Sequence, residues 1–386
     1  MRAVVYRGVN DLRLETVPVP RIGADELLVK VAVCGVCPTD IKKIHHGTVP
    51  PPRIFGHETA GIIVKIGGHV SRLPGGRPLG LGDRVALHHH VPCLDCHCCR
   101  HRAFAQCAQY KRTGITAGFE PAGGGYAEYV RVMKFVLPGV VKIPAKNSFA
   151  EGAMLEPVNT VLKAVKRLKL LRGDNVLVAG QGPIGLMFTK ILQLRGMNVL
   201  ATDLLESRLR LAKKFGAKWT ANVSGGGRDS AHHHPKNQSR LTPAATFEKF
   251  DAAIIAVPSD AAVRQALELV RGGGQILLFA HTKRAEAGSQ KSEVRNAPSD
   301  FQPLSAVSAI DFASICLDEK DLIGSYSSDF TLQVEVARLV FSRRLDVRDL
   351  ISHSFPLAQT AAAVHLAARP APGSLKIIVA AGVSLL

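Results

Sequence analysis

The sequence predicts an α/β protein of two domains, a partly open β-barrel followed by a doubly wound parallel sheet. Three observations predict it. A chain of 386 residues exceeds what one hydrophobic core usually holds. Its first part, to about residue 90, carries short β-rich runs separated by turns, without helical periodicity between them. From Asp174 onward, continuous apolar runs alternate with helical stretches, the pattern of strands buried on both faces.

Composition narrows the class. Hydrophobic residues make up 46% and charged residues 21%, as in an ordinary soluble globular protein. Met1 leads into Ala3-Val4-Val5-Tyr6, a strand pattern, rather than into the charged, apolar and cleavage regions of a signal peptide. Apolar runs such as residues 377–382 are far too short to span a bilayer. A soluble cytoplasmic protein with no membrane partner is therefore expected. The net charge of +18 would suit nucleic acid, an anionic membrane or an acidic substrate. Yet the Lys and Arg residues are scattered, with no run of five and no basic helix interleaved with aromatics. A solvated basic surface is expected, with no nucleic acid partner.

Within the barrel, Leu27-Leu28-Val29-Lys30-Val31-Ala32-Val33 reads as one strand and Gly61-Ile62-Ile63-Val64-Lys65-Ile66-Gly67 as another. Residues 71–81 are rich in Pro and Gly and read as a loop, after which Gly82-Asp83-Arg84-Val85 re-enters a strand. Between the first two strands lie Cys34-Gly35-Val36-Cys37-Pro38-Thr39-Asp40, a basic Pro-rich loop, and Phe55-Gly56-His57-Glu58. Thiol, imidazole and carboxylate are the ligand types zinc prefers. Thr39 stands two positions beyond Cys37, where its hydroxyl could touch anything bound to such a metal. Asp40 is suited to accept from a ligating His and fix its tautomer. Each residue alone reads as a buried thiol or a core histidine; together they point to a metal.

Eight cysteines occur, and five of them fall within the fifteen residues 93–107. Cys93, Cys96, Cys99 and Cys107 follow Cys-x2-Cys-x2-Cys-x7-Cys, enough for a closed tetrahedral site with no open position. Closure implies a structural role and leaves Cys34 and Cys98 spare. The barrel resumes through Gly123-Gly124-Gly125-Tyr126-Ala127-Glu128-Tyr129-Val130 and ends near Lys142-Ile143-Pro144. Residues 149–169 then have helical periodicity and carry Glu156-Pro157 near the start. On its own, Glu156 reads as a carboxylate favoured at a helix N-terminus.

Asn175-Val176-Leu177-Val178-Ala179 leads into Gly180-Gln181-Gly182-Pro183-Ile184-Gly185 and a helix to Leu194. The next strand, Asn198-Val199-Leu200-Ala201-Thr202-Asp203, ends on a carboxylate eighteen positions beyond Gly185. A Gly-x-Gly-x-x-Gly in this context is the fingerprint of a Rossmann-type dinucleotide fold. Gly180 permits the turn, Gly182 lets the backbone approach a pyrophosphate, and Gly185 allows close helix packing. The helix N-terminus, at Pro183 and Ile184, favours the phosphate charge. Asp203 can bind both ribose hydroxyls and would repel a 2′-phosphate, which selects NAD, although Arg208 nearby could hold a phosphate. Further strands are expected at 250–257, 274–279 and 321–325, and a final one at 375–379. A Gly-, Ser-, Pro- and His-rich loop over 224–246 contains His232-His233-His234, and a second polar loop runs over 281–305.

Cys37-Pro38-Thr39-Asp40 followed by Gly56-His57-Glu58-Thr59-Ala60-Gly61 resembles the signature of the zinc-dependent medium-chain alcohol and polyol dehydrogenases. The cysteine lobe and the glycine motif extend the resemblance over nearly the whole chain, closest to the sorbitol and threonine dehydrogenase branch. It implies a GroES-like catalytic domain over 1–158 with a structural zinc lobe at 93–107. A Rossmann domain over 159–326 and a C-terminal segment over 327–386 returning to the catalytic domain would follow. A catalytic zinc would be held by Cys37 and His57, with Glu58 or Glu156 as the third protein ligand, since no Cys stands near Glu156. Arg208 matches an Arg that flanks the adenosine in NAD-using relatives. The implied reaction moves a hydride between NAD and a secondary alcohol, polyol or hydroxy amino acid, in a homodimer or homotetramer, with substrate between the domains. Thr39 would relay the proton. Related enzymes often end that relay with a His five residues after the Cys ligand, where this chain has Lys42; His45 or His46 could substitute. His90 resembles a position that borders the substrate in threonine dehydrogenases. The alternative is an NADPH-dependent reductase of the same fold without catalytic zinc, which the presence of Cys37, His57, Glu58 and Asp203 disfavours.

Overall fold

The computed structural model describes residues 1–68, 79–88, 91–108, 123–224, 249–280 and 312–382. They divide into two compact units. The first comprises Met1–Lys166, Gly182–Ile191 and Tyr326–Leu386, and the second Arg167–Gln181 and Leu192–Ser325. His90, the His-rich loop beyond Ser224, the polar loop over 281–305 and most of the loop over 71–81 lie outside the described residues.

The first unit opens with β1 (Arg2–Gly8), β2 (Asp11–Thr16), β3 (Leu27–Gly35), α1 (Pro38–His46), β4 (Arg53–Ile54), β5 (Glu58–Ile66) and β6 (Arg84–Leu87). It continues with the short helix α2 (His97–Arg100), β7 (Tyr129–Val132), β8 (Val140–Lys142), α3 (Phe149–Ala153) and α4 (Leu155–Val165). β3 is buried along nearly its whole length because it pairs antiparallel with β5 and β7 and, at its far end, with the last strand of the chain. Its apolar run of Leu, Val, Ala and Cys is what such a position requires. Leu27, Val29, Val31, Ile63, Val85 and Val130 pack together on one side, while Val4, Tyr6, Ile54, Phe55 and Tyr126 form a second cluster. In that second cluster the rings of Tyr6 and Phe55 meet edge to face at 5.3 Å.

The helical stretch expected as one piece over 149–169 is two helices that meet at Met154. Pro157 supplies the reason: it has no N–H to donate to the carbonyl of Ala153, so a continuous ladder cannot cross that point. α3 starts with a full capping box, in which Ser148 accepts from the Glu151 N–H and Glu151 accepts from the Ser148 N–H.

The Rossmann-type sheet contains β9 (Asn175–Ala179), β10 (Asn198–Asp203), β11 (Trp219–Asn222), β12 (Phe250–Ile255), β13 (Val270–Leu278) and β14 (Asp321–Gly324). The intervening helices are α5 (Pro183–Leu194), α6 (Glu206–Lys214), α7 (Asp260–Leu269) and α8 (Phe312–Leu317). All its pairings are parallel, in the spatial order β11-β10-β9-β12-β13-β14. This is the order 3-2-1-4-5-6 of a dinucleotide-binding sheet, with its switch point between β9 and β12. β13 begins at Val270, four residues before the expected start, because Val270 pairs with Phe250 ahead of a register shift.

The tail adds α9 (Gln333–Phe341), β15 (Ile351–Pro356), α10 (Thr360–Ala368) and β16 (Lys376–Ala380). β16 lies antiparallel to β3, with Ile378 opposite Gly35 and Val379 opposite Cys34. β16 therefore lies between β15 and β3, close in the sheet to the first candidate ligand.

Candidate active site

Cys37 sits at the end of β3 as the residue that caps α1, with extended backbone angles and Pro38 in the first helical position. β3 and β5 pair so that Gly35 faces Glu58, which brings the end of one strand beside the start of the other. Gly56, at φ +99, makes the turn into β5; a Cβ there would lie 2.7 Å from the Cys34 sulfur and 2.9 Å from the Tyr126 nitrogen. As a result Cys37, His57 and Glu58 place one ligand atom each within 4.8 Å of one another, His57 and Glu58 buried and Cys37 half-buried. Thr39 Oγ1 lies 3.1 Å from the Cys37 sulfur and 3.5 Å from His57 Nε2. His57 Nδ1 is 3.1 Å from Asp40 Oδ2 and 3.2 Å from Oδ1, so the ring donates from Nδ1 and turns Nε2 toward Cys37 and Thr39.

Glu156 is buried in the first turn of α4, outside this group of three ligand atoms. The residue that does reach the group comes from the far end of the chain. Lys376, on β16, is almost completely buried, and its Nζ lies 2.5 Å from both oxygens of Glu58 and 2.9 Å from the carbonyl of Val36. Sequence reading missed it; a Lys opening an otherwise apolar terminal strand was the only available signal.

The electrostatics follow from burial. For His57 burial opposes the charged form, but the adjacent Asp40 and Cys37 outweigh it and hold the imidazole well above its usual range. Burial pushes the Glu58 carboxyl up; Lys376 pulls it back, and the charge of Glu156 adds to the rise. Burial likewise drives the Cys34 thiol up to about 12, which marks it as a packing residue rather than a nucleophile or ligand.

The second group of ligand-type atoms comprises Cys93, Cys96, Cys99 and Cys107, again within 4.8 Å of one another. The Cys93 sulfur stands 3.8 Å from that of Cys99, and Cys96 donates to Cys99 at 3.5 Å. Backbone N–H groups of Asp95 and Cys96 bring the Cys93 thiol down to about 6. Burial and the neighbouring thiols push Cys99 up to about 12. Four sulfurs this close cannot all ionise without a cation among them, and four thiolates are a donor set that suits zinc. Cys37, His57 and Glu58 fit zinc as well, through one soft, one borderline and one hard donor.

In the dinucleotide motif Gly180 has φ +91 and donates to the Thr202 carbonyl at 2.8 Å. Among the described residues, nothing stands within 4 Å of where a Cβ on Gly182 would lie, so its backbone is open to a ligand. Pro183 and Ile184 begin α5, with Gly185 buried behind them. Asp203, at the end of β10, accepts from the Gln181 N–H at 2.7 Å and from the Leu205 N–H at 3.0 Å. Arg208 Nη1 lies 3.7 Å from the same carboxylate.

Residues 23–145 match the alcohol dehydrogenase GroES-like domain, and residues 183–332 match the zinc-binding dehydrogenase domain. A sorbitol dehydrogenase of Bacillus subtilis is 30% identical over 287 residues, 72% of this chain and 74% of the relative. The chain belongs to the zinc-binding dehydrogenases. A sorbitol dehydrogenase of Bombyx mori is 29% identical over 98% of this chain and 97% of its own length. Among solved structures, a protein described as a zinc-binding dehydrogenase of Sinorhizobium meliloti, bound to NADP, superposes with a TM-score of 0.78 at 26% identity, covering 98% of this chain and 99% of its own. An alcohol dehydrogenase of Thermotoga maritima, at 23% identity, shares the fold with a TM-score of 0.81 over 98% of each chain. In this zinc-binding dehydrogenase, then, both ligand groups named above stand in the segment that matches the GroES-like domain.

Proposed function

We propose that this chain is a zinc-dependent oxidoreductase that moves a hydride between NAD and a secondary alcohol, polyol or hydroxy amino acid. The observation that carries the reading is the convergence of Cys37, His57 and Glu58 beside Thr39. When bound there, zinc supplies a Lewis acid that acidifies an alcohol or polarises a carbonyl.

The chain's own residues do the rest. Asp40 takes the Nδ1 proton of His57 in a hydrogen bond and leaves the Nε2 lone pair for the metal. Cys37 offers its sulfur from the residue that precedes α1, where Pro38 starts the helix. Thr39, between that sulfur and His57, is placed to take the substrate's hydroxyl proton and pass it on. Glu156 contributes negative charge near Glu58 rather than a donor atom in the group of three. The Cys93, Cys96, Cys99 and Cys107 group holds a second zinc with a structural role.

Asp203 supports NAD over NADP, since its buried carboxylate already neutralises Arg208 and would repel a 2′-phosphate. The sorbitol dehydrogenase relatives support polyols, and the resemblance supports a cytoplasmic homodimer or homotetramer. Metal analysis should find two zincs per chain, and a panel of polyols, secondary alcohols and L-threonine with each cofactor should show NAD-linked oxidation. One zinc per chain with NADPH-linked reduction would overturn the proposal.

A further inference from the structure

The Glu58 carboxylate already pairs with one cation and belongs to a group that could hold a second. Lys376 Nζ lies 2.5 Å from both oxygens, as hydrogen-bond donor to Oε1 and ion-pair partner of Oε2. Glu58 also offers an oxygen within 4.8 Å of the Cys37 and His57 donor atoms. The carboxylate has no freedom to choose by moving away. A Cβ on Gly35 would stand 1.8 Å from Oε2, so the group lies directly over the bare backbone of β3. Lys376 is equally fixed, through the Val36 carbonyl at 2.9 Å and the pairing of β16 with β3.

We propose that Lys376 competes with the catalytic metal for the Glu58 carboxylate and keeps Glu58 a weak, exchangeable ligand. The inference rests on the zinc reading above. Its physical basis is charge. An ammonium that already draws on a carboxylate lowers that carboxylate's donor strength toward a second cation, and a fixed positive charge beside a dication opposes its binding. With Glu58 weakened, Cys37 and His57 hold the metal firmly while the third protein position stays available for exchange with substrate. Lys376 is a positioning residue in this scheme, acting on the metal through Glu58.

The expected change in metal affinity runs opposite to that of an ordinary structural loss. Removing a residue of purely structural value loosens a nearby metal; removing Lys376 should tighten it. Wild type, Lys376→Met and Lys376→Arg proteins are loaded with zinc and dialysed against graded chelator, with metal per chain and melting temperature measured. The four-thiolate lobe serves as an internal reference. Lys376→Met should need about ten- to hundredfold more chelator to lose the catalytic metal, the equivalent of one charge-assisted hydrogen bond. It should melt lower than wild type, and its cobalt-substituted form should show an altered visible spectrum. Lys376→Arg should behave like wild type in chelator and spectrum. A Met variant that loses the catalytic metal at the same or lower chelator concentration overturns the proposal. If Lys376→Met does not fold, Lys376→Gln, neutral but able to reach the Val36 carbonyl, decides by the same readings. A wild type with a single zinc overturns the functional reading and this inference together; two zincs with no tightening overturn this inference alone.

Discussion

His57 and Asp40 meet at 3.1 Å with both side chains shut away from solvent. That contact fixes which ring nitrogen faces Cys37, so Asp40 should matter to metal affinity without being a ligand. Asp40→Asn should weaken zinc at this site by about ten- to a hundredfold, measured by chelator competition. Unchanged affinity would show that the ring is held by packing alone.

The ligands themselves should be more severe. Cys37→Ser and His57→Ala should abolish turnover while leaving the melting curve and NAD binding close to wild type, because the glycine motif and Asp203 lie far off in sequence and belong to neither group of ligand atoms. Steady-state kinetics and cofactor titration check this. Near-normal turnover in a variant shown to lack the catalytic metal would sink the mechanism.

In the cysteine lobe, Cys107 is fully buried and its sulfur accepts from the Cys93 N–H at 3.4 Å. Cys107→Ala or Cys96→Ala should lower thermal stability and disturb assembly far more than the chemical step, since metal binding in a closed site is folding energy. Calorimetry with metal analysis would show one zinc lost. Full stability in Cys107→Ala would remove the structural assignment.

Asp203 and Arg208 face each other at 3.7 Å. Asp203→Ser should weaken NAD binding by roughly one to two powers of ten, the size of a charged hydrogen bond. The same change leaves Arg208 without its counter-ion and so improves NADP use. The ratio of kcat/KM for the two cofactors is the measurement. A wild type that already prefers NADP, or an unchanged ratio in the variant, would show that the carboxylate does not select.

Glu151 is one acid-sensitive point of the fold. Burial alone would raise its carboxyl, but the Ser148 N–H, Arg343 and Asn147 outweigh burial and hold it below the usual carboxylate range. A carboxylate whose folded value is depressed adds stability that is present above its unfolded value and is lost as pH falls through the folded one. Glu151→Gln should therefore cost about 2 kcal/mol near neutral pH, and the difference should shrink as the pH drops below about 4. Denaturant titrations of both proteins across that range would reveal it; a constant difference would place the cost in shape rather than charge.

Much of this protein is written locally. The strands at Asn175–Ala179 and Asn198–Asp203, the glycine turn between them and the four-cysteine spacing each lie within about twenty residues, where period, spacing and turn chemistry suffice. Cys37, His57 and Glu58 were legible as ligand types because they flank one connection between two paired strands. The break at Met154 could have been read from Pro157, but the helical periodicity on either side concealed it.

Other decisions belong to the tertiary structure. Glu156 carries the same chemistry as Glu58, and only the start of β5 against β3 brings Glu58 rather than Glu156 into the group of three. Lys376 stands 318 residues from Glu58, and its place at the start of an apolar strand does not by itself separate it from a lysine at a solvent-facing strand end. The register of β16 on β3 buries it and aims it at Glu58. By itself the sequence determined which groups could bind metal and nucleotide, because those groups are set by residue type and short spacing. Only the fold decided which carboxylate joins Cys37 and His57 and which cation stands behind it, because strand pairing joins segments that share no local signal.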